Sequence, residues 1–111
     1  MKNGDRALRA LIDQIAAGAT GQALRAVKAA PRLARLALAQ GATHADPFSH
    51  FLTAIGHYVY AGDTALHVAA AAHQPAVARA LLAAGADVAA ANRRAAQPLH
   101  YAMDAAPGSP S

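Results

Sequence analysis

The sequence predicts an all-α fold, a solenoid of stacked helix-turn-helix units with a long insertion between repeats. Alanine, the best helix former, accounts for 35 of the 111 residues. Apolar residues recur at three- and four-residue spacing through much of the chain, as they do in amphipathic helices. A short motif also returns after 33 residues, and a period of this length is typical of repeat proteins.

The N-terminal segment is predicted to be an atypical helix pair over residues 4–30. The first helix, over residues 4–17, has apolar residues at spacing i, i+3, i+4 and i+7: Leu8, Leu11, Ile12 and Ile15. Gly18 ends this helix, and the Thr20 hydroxyl is expected to cap a second helix that ends near Ala30. The residues of the second helix expected to face inward are Ala23, Leu24 and Val27.

Residues 31–61 are predicted to be an insertion with short helices. Pro31 starts a short helical piece, which Gly41 ends. Its apolar residues are Leu33, Leu36 and Leu38. Further along, residues 47–54 are expected to form one or two helical turns, and residues 57–60 an extended segment.

The insertion carries four of the five aromatic residues of the chain: Phe48, Phe51, Tyr58 and Tyr60. A connection as long as residues 42–61 is usually functional or disordered, and its aromatic content argues against disorder. Two interpretations remain open. Either Phe48, Phe51 and Ile55 fill the core in place of missing helix area, which is the commoner role of aromatic residues, or the segment is a binding hot spot.

The repeated motif begins a full repeat that is predicted to cover residues 62–94. Thr-Ala-Leu-His at 64–67 returns as Gln-Pro-Leu-His at 97–100. The second copy opens a partial repeat over residues 95–106, and residues 107–111 form a tail. Together these units make a single domain over the whole chain.

Two helices are predicted within the full repeat. The apolar face of the first is formed by Leu66, Ala69 and Ala70. Pro75 opens the second helix, and Gly85 ends it. The apolar stripe of this second helix is Val77, Leu81 and Leu82.

With its 33-residue period and its T-P-L-H-x-A core, the chain resembles an ankyrin-repeat protein. It departs from the family at Ala65, where the family has Pro, and at His73 and Ala95, where the family usually has Gly. Those glycines serve turns with positive φ, so the resemblance implies strained turns at these two positions. It also implies that the imidazoles of His67 and His100 bond the neighbouring turn backbone.

The resemblance further implies a non-catalytic protein-protein interaction module. Such arrays bind a protein partner through their loop tips and through the concave face of their inner helices. The partner-binding residues expected here are Tyr58, Tyr60, Ala61, Asp63, Ala71, Ala72, Arg93, Arg94, Ala96 and Asp104. Tyr and Arg are the residue types that most often dominate binding energy, which favours this set.

No catalytic, cofactor or metal site is predicted. The chain has no Gly-rich phosphate loop, no H-E-x-x-H motif and no cysteine. Asp63 and His67 have the spacing of an acid–base pair, but no nucleophile accompanies them. Four residues of the insertion match no known zinc-ligand spacing: His44, Asp46, His50 and His57. We therefore expect no enzyme activity and no small-molecule substrate.

Charge is uneven along the chain, which suggests an alternative function. Residues 1–44 carry seven Lys or Arg and two Asp (+5), and residues 45–111 carry three Arg and four Asp (−1), which gives the net +4. A basic face could bind nucleic acid or another acidic surface through Arg6, Arg9, Arg25, Lys28, Arg32 and Arg35. Because no aromatic residues are interleaved with these cations, nucleic acid is the less favoured partner.

The remaining expectations concern surroundings and assembly. No apolar run reaches about 18 residues and no secretion signal is recognisable, so we expect no membrane partner and a cytoplasmic location. The alanine-rich composition, with Arg in excess of Lys, favours a bacterial source. At the C-terminal edge, Leu99 and Met103 lack a covering outer helix, so either the array continues, or a partner covers this edge, or the chain self-associates there.

Overall fold

The computed structural model describes residues 3–39, 51–52, 57–58, 60–92 and 97–98. Its helices are α1 (Asn3–Ala16), α2 (Thr20–Ala29), α3 (Ala65–Ala71) and α4 (Pro75–Ala83), with a 3-10 helix over Pro31–Arg35 after α2. In the long connection, β1 (Phe51–Leu52) and β2 (His57–Tyr58) pair as a short antiparallel hairpin. The all-α fold class is confirmed.

The four helices form two stacked hairpins, α1–α2 and α3–α4. Because α1 packs against α3 and α2 packs against α4, the stack has an inner layer of α1 and α3 and an outer layer of α2 and α4. The largest fully buried apolar side chains come from both hairpins: Leu8, Leu11, Ile12, Ile15, Val68, Val77 and Leu81. Two hairpins make one stacking step, and a longer solenoid stays a prediction.

The first hairpin follows the predicted apolar pattern. α1 buries all four residues of its i, i+3, i+4, i+7 stripe, and on its other side Arg9 Nε pairs with Asp13 Oδ1 at 3.0 Å. In α2, Ala23 and Val27 are buried and Leu24 is half-buried. The apolar stripe therefore fixes which side of each helix enters the core.

The predicted role of Thr20 as a helix cap is wrong. Ala19 is the N-cap residue of α2, and the Thr20 hydroxyl donates to Gln74 Oε1 instead, at 2.8 Å. Gln74 Nε2 in turn donates to the Ile15 carbonyl at 3.1 Å. Since the Gln74 side chain does not cap its own helix, it is free to tie the α3–α4 turn to the α1–α2 turn. Its side chain is thus a hydrogen-bonded link between the two hairpins.

Three helices end in the same way, on a residue with positive φ. Gly18, His73 and Gly85 have φ of 78°, 54° and 100° and follow α1, α3 and α4. At α3, the His73 N–H donates to the Ala70 carbonyl (3.2 Å) and the Gln74 N–H to the Ala69 carbonyl (2.9 Å), which satisfies two carbonyls of the last turn. The expected positive φ at His73 is confirmed. Ala95, for which the same was expected, lies outside the described residues.

The chain becomes extended sooner after α2 than predicted. The 3-10 helix ends at Arg35, and Leu36 already has an extended backbone, so the helical piece does not include Leu36 or Leu38. Instead the Leu38 N–H donates to the Asp63 carbonyl (2.9 Å), and the Gly62 N–H donates to the Leu38 carbonyl (2.7 Å). These bonds satisfy both backbone polar groups of Leu38, whose side chain is buried, and they tie this segment to the loop before α3.

The long connection leaves the stack at Leu38 and returns at Gly62. Helical turns were expected over residues 47–54, and this is wrong at residues 51–52, which form β1; Phe and Tyr favour strands over helices. The extended segment is confirmed at His57–Tyr58. Leu52 of β1 is buried in the core, and the sequence analysis did not name it. Of Phe51 only the backbone is described. Phe48 and Ile55 lie outside the described residues.

The first prediction compares two neighbouring leucines of α4. Leu81 is fully buried, whereas Leu82 is 43% exposed. We expect Leu81→Ala to lower the free energy of unfolding by about 2–4 kcal/mol, because it removes buried methyl groups and leaves a cavity. Leu82→Ala changes the same atoms at a site that water already reaches, so its loss should be much smaller. Urea denaturation of both variants measures the difference, and equal losses would contradict the orientation of α4.

The second prediction concerns the strained helix end at His73. We expect His73→Gly to be more stable than His73→Ala by about 1 kcal/mol, because alanine keeps a Cβ atom at positive φ and glycine does not. Both variants remove the ring, whose Nε2 is buried without a hydrogen-bond partner among the described atoms. Comparing them therefore isolates the backbone term. Thermal unfolding that ranks alanine above glycine would show that φ is not strained there.

Candidate partner-binding site

A buried carboxylate organises the loop that precedes α3. Asp63 is fully buried, and its Oδ2 accepts a hydrogen bond from the Tyr60 N–H at 2.8 Å. Its other oxygen, Oδ1, accepts from Asn92 Nδ2 at 2.8 Å, and Asn92 is itself buried. A buried charge is tolerated when donors surround it, so the two bonds hold the loop against the connection that follows α4.

The next two polar residues begin α3 as a reciprocal cap. The Thr64 N–H donates to His67 Nδ1 (3.1 Å), and the His67 N–H donates to Thr64 Oγ1 (3.3 Å). Because a backbone amide can only donate, Nδ1 carries no proton, and a neutral ring then has its proton on Nε2. His67 thus bonds the turn backbone, as the resemblance implied. His100 lies outside the described residues.

The surface of α3 beyond this cap is made of alanine. The helix has the sequence ALHVAAA, without a charged residue. Residues 65–69 are buried, whereas Ala70, Ala71 and the C-cap Ala72 are half-buried. Methyl groups leave a shallow surface, so another backbone can approach the end of this helix closely.

The structure places the expected partner-binding residues in three groups. Tyr60, Ala61, Ala71 and Ala72 are half-buried and so are partly accessible. Asp63 needs correction, because its side chain is fully buried and both carboxylate oxygens accept hydrogen bonds within the protein. It positions the loop rather than touching a partner.

The third group contains the expected binding residues whose side chains are not described. Tyr58 belongs to β2, and only its backbone is described. Other expected site residues and potential metal ligands lie outside the described residues: Arg93, Arg94, Ala96, Asp104, His44, Asp46 and His50.

Two residues of the loop framework were missed by the sequence analysis. Asn92, which precedes the two arginines expected to contact a partner, is buried and bonded to Asp63. The other residue is Gln74, whose side chain joins the turns of the two hairpins. For both residues, a clue in the sequence was an amide side chain beside a helix end or turn, where amides often bond backbone or side-chain groups locally. Here the bonds reach 29 and 54 residues along the chain.

Residues 61–93 match the family model described as Ankyrin repeat. The chain contains an ankyrin repeat. The match begins at Ala61 in the loop and covers α3, α4 and the connection after them, whereas the α1–α2 hairpin lies outside it. No curated protein and no solved structure matches the chain. In the part of the chain that the structure describes, no helix has both the length and the hydropathy to cross a membrane.

The third prediction tests the buried carboxylate of the repeat. We expect Asp63→Ala to lower the free energy of unfolding by about 2 kcal/mol or more, because it leaves the Tyr60 N–H and the Asn92 amide without their acceptor. Asp87→Ala is the matched control, since Asp87 Oδ1 accepts from the Ala89 N–H in an exposed turn. Urea denaturation should show a much smaller loss for the control, and hydrogen exchange should speed up at Tyr60 in Asp63→Ala alone.

Proposed function

We propose that the protein is a non-catalytic interaction module that binds a protein partner through the loop before α3 and the half-buried C-terminal end of α3. Ankyrin repeats are generally protein-interaction modules. The observation that carries the finer proposal is the half-buried Tyr60, whose backbone N–H is held by the fully buried Asp63 carboxylate. A tyrosine presented on a fixed backbone is a typical anchor of an interface.

Fixing the loop in advance favours binding. A loop that is ordered only on association loses conformational freedom at that moment, which weakens affinity. Here the loop is bonded to Asn92 through Asp63 and to Leu38 through Gly62 before any partner arrives. The ordering of Tyr60 and Ala61 is therefore largely complete in the unbound protein.

The alanine end of α3 supplies the second part of the proposed surface. Ala71 and Ala72 lie at the far end of α3, about 9 Å along the helix axis from its first residue. Their small side chains allow a partner side chain or helix to pack close to the backbone. A tyrosine anchor together with a shallow apolar strip suits a protein partner better than a small molecule, which needs a deep pocket.

The long connection leads directly into the proposed binding loop. Its chain rejoins the stack at Gly62, directly after Tyr60 and Ala61, and Leu52 of its hairpin is buried in the core. We infer that Tyr58 extends the tyrosine anchor. Arg93, Arg94, Ala96 and Asp104 stay proposed contacts, and self-association through Leu99 and Met103 stays a prediction.

The two polar residues that resemble an acid–base pair, Asp63 and His67, are occupied by structural hydrogen bonds. Asp63 is occupied by the Tyr60 N–H and Asn92, and His67 by the cap with Thr64. Both therefore serve the loop and the helix start. An acid–base role for this pair would require breaking the bonds that hold the repeat together.

The fourth prediction uses two alanines on opposite layers. Ala71 lies on α3, and Ala83 is an exposed residue of α4. We expect Ala71→Gln, like Tyr60→Ala, to weaken the purified complex with a captured partner about tenfold, because each alters the proposed surface. Ala83→Gln adds the same bulk on the outer layer and should leave affinity unchanged.

Isothermal titration measures the dissociation constants, and thermal unfolding confirms that each variant is folded. A partner whose affinity is insensitive to Tyr60→Ala and Ala71→Gln, or that is lost with Ala83→Gln, would place the binding surface elsewhere and contradict the proposal.

A further inference from the structure

The charges of the chain separate by layer rather than by half of the sequence. The outer layer and the 3-10 helix together carry five exposed cations: Arg25, Lys28, Arg32, Arg35 and Arg79. Residues 20–39 and 75–86 contain no Asp or Glu. In the inner layer, α1 balances two arginines with two aspartates, and α3 has no charge. The positive charge is therefore concentrated on the outer face.

These cations lie on three elements that pack together. α2 packs against α4, and the 3-10 helix contacts both of them. On α2, Arg25 and Lys28 are three residues apart and so are neighbours on its exposed side. Arg79 is exposed on α4. The surface thus joins residues that are 54 positions apart in sequence (79 − 25).

One of the five cations already has a structural role. The Arg35 guanidinium donates to the Ala84 carbonyl (3.4 Å), at the C-terminal end of α4 where positive charge is favoured. Its side chain also lies against Gly85, where an added Cβ would meet Arg35 Cδ at 3.4 Å. Among the described residues, the other four have no ion-pair partner. Arg25, Lys28, Arg32 and Arg79 we name the outer basic face.

The residues between these cations narrow the kinds of ligand that fit. The exposed neighbours on α2 and α4 include Gly21, Ala29, Ala76 and Ala83, which leave a smooth surface around the charges. Residues 20–35 and 75–83 contain no aromatic residue on which a base could stack. Leu82 is the one large apolar side chain exposed on these described helices. A single exposed leucine gives too little apolar area for insertion into a membrane.

We propose that the outer basic face binds an acidic protein segment, one rich in Asp or Glu. Three of its four cations are arginines, whose planar guanidinium donates two parallel hydrogen bonds to a carboxylate. Small neighbours let an acidic helix or strand lie close enough for several such pairs. This surface differs from the Tyr60 and α3 surface, so the proposal stands apart from the proposed function.

The fifth prediction is tested by fluorescence anisotropy with the full chain. The probe is a fluorescein-labelled peptide of alternating Glu and Ala, compared with a Gln–Ala peptide, a labelled DNA duplex and phosphatidylserine vesicles. The test variant is Arg25→Gln with Arg79→Gln, which spans both outer helices. The control is Arg6→Gln with Arg9→Gln on α1, and both double variants have net charge +2, since each loses two of the +4.

We expect the Glu–Ala peptide to bind more tightly than every other probe at low salt. The test variant should raise its dissociation constant about tenfold, whereas the control should change it by no more than about twofold. Replacing the same two residues by Lys should give an intermediate value, since the charge remains and the planar fork is lost.

Three results would overturn the proposal. One is equal binding of the Glu–Ala and Gln–Ala peptides. Another is the same loss in the test and control variants, which would mean a response to net charge alone. The third is tighter binding of the DNA duplex or the vesicles than of the Glu–Ala peptide, which would assign the face to phosphate groups. Unchanged thermal unfolding of both double variants confirms that the substitutions leave the fold intact.

Discussion

The Asp63 carboxylate is the interaction on which the arrangement of the repeat depends. It receives a backbone N–H from its own loop and an amide from the connection beyond α4, while the backbone carbonyl of the same residue accepts the Leu38 N–H. One residue therefore joins three segments that are distant in sequence. A buried carboxylate with its donors removed would be strongly destabilising, so the three segments must fold together. The hydrogen bonds at Asp63 therefore fix the backbone of the loop that carries Tyr60.

Polar junctions matter here because the apolar core is thin. A few Leu, Ile and Val side chains form the core among many alanines, whose methyl groups each bury little area, and apolar burial contributes only about 25 cal/mol per Å². Gln74 bridges both helix turns through Thr20 and the Ile15 carbonyl. Such bonds add modest net stability. They are directional, however, and therefore help to fix one register between the two hairpins.

The sequence predicted those features that depend on local spacing. The stripe of Leu8, Leu11, Ile12 and Ile15 defined α1 because helical periodicity is local. The positive φ at His73 was implied by the resemblance to a family that usually has Gly at this position. The extended backbone after Arg35 and the burial of Asp63 could not be predicted in this way. Both depend on bonds between residues 38 and 63 or between residues 63 and 92, and an isolated aspartate is far more often exposed than buried. The expectation of a surface Asp63 failed for that reason.

The stacking of the helices also brings cations that are scattered along the sequence onto the outer layer of the fold. Arg25 and Arg79 are far apart in sequence, yet both occupy outward positions of helices that pack side by side. Helix axes in adjacent layers lie about 8–10 Å apart, close to the Debye length of about 8 Å at physiological ionic strength. Across a protein interior that ions do not enter, such a distance screens charge only in part. The end of α3 carries no charge of its own, however, so an acidic segment on the outer basic face meets no like charge on the other proposed surface. The small stack thus offers separate places for an acidic segment and for a second protein.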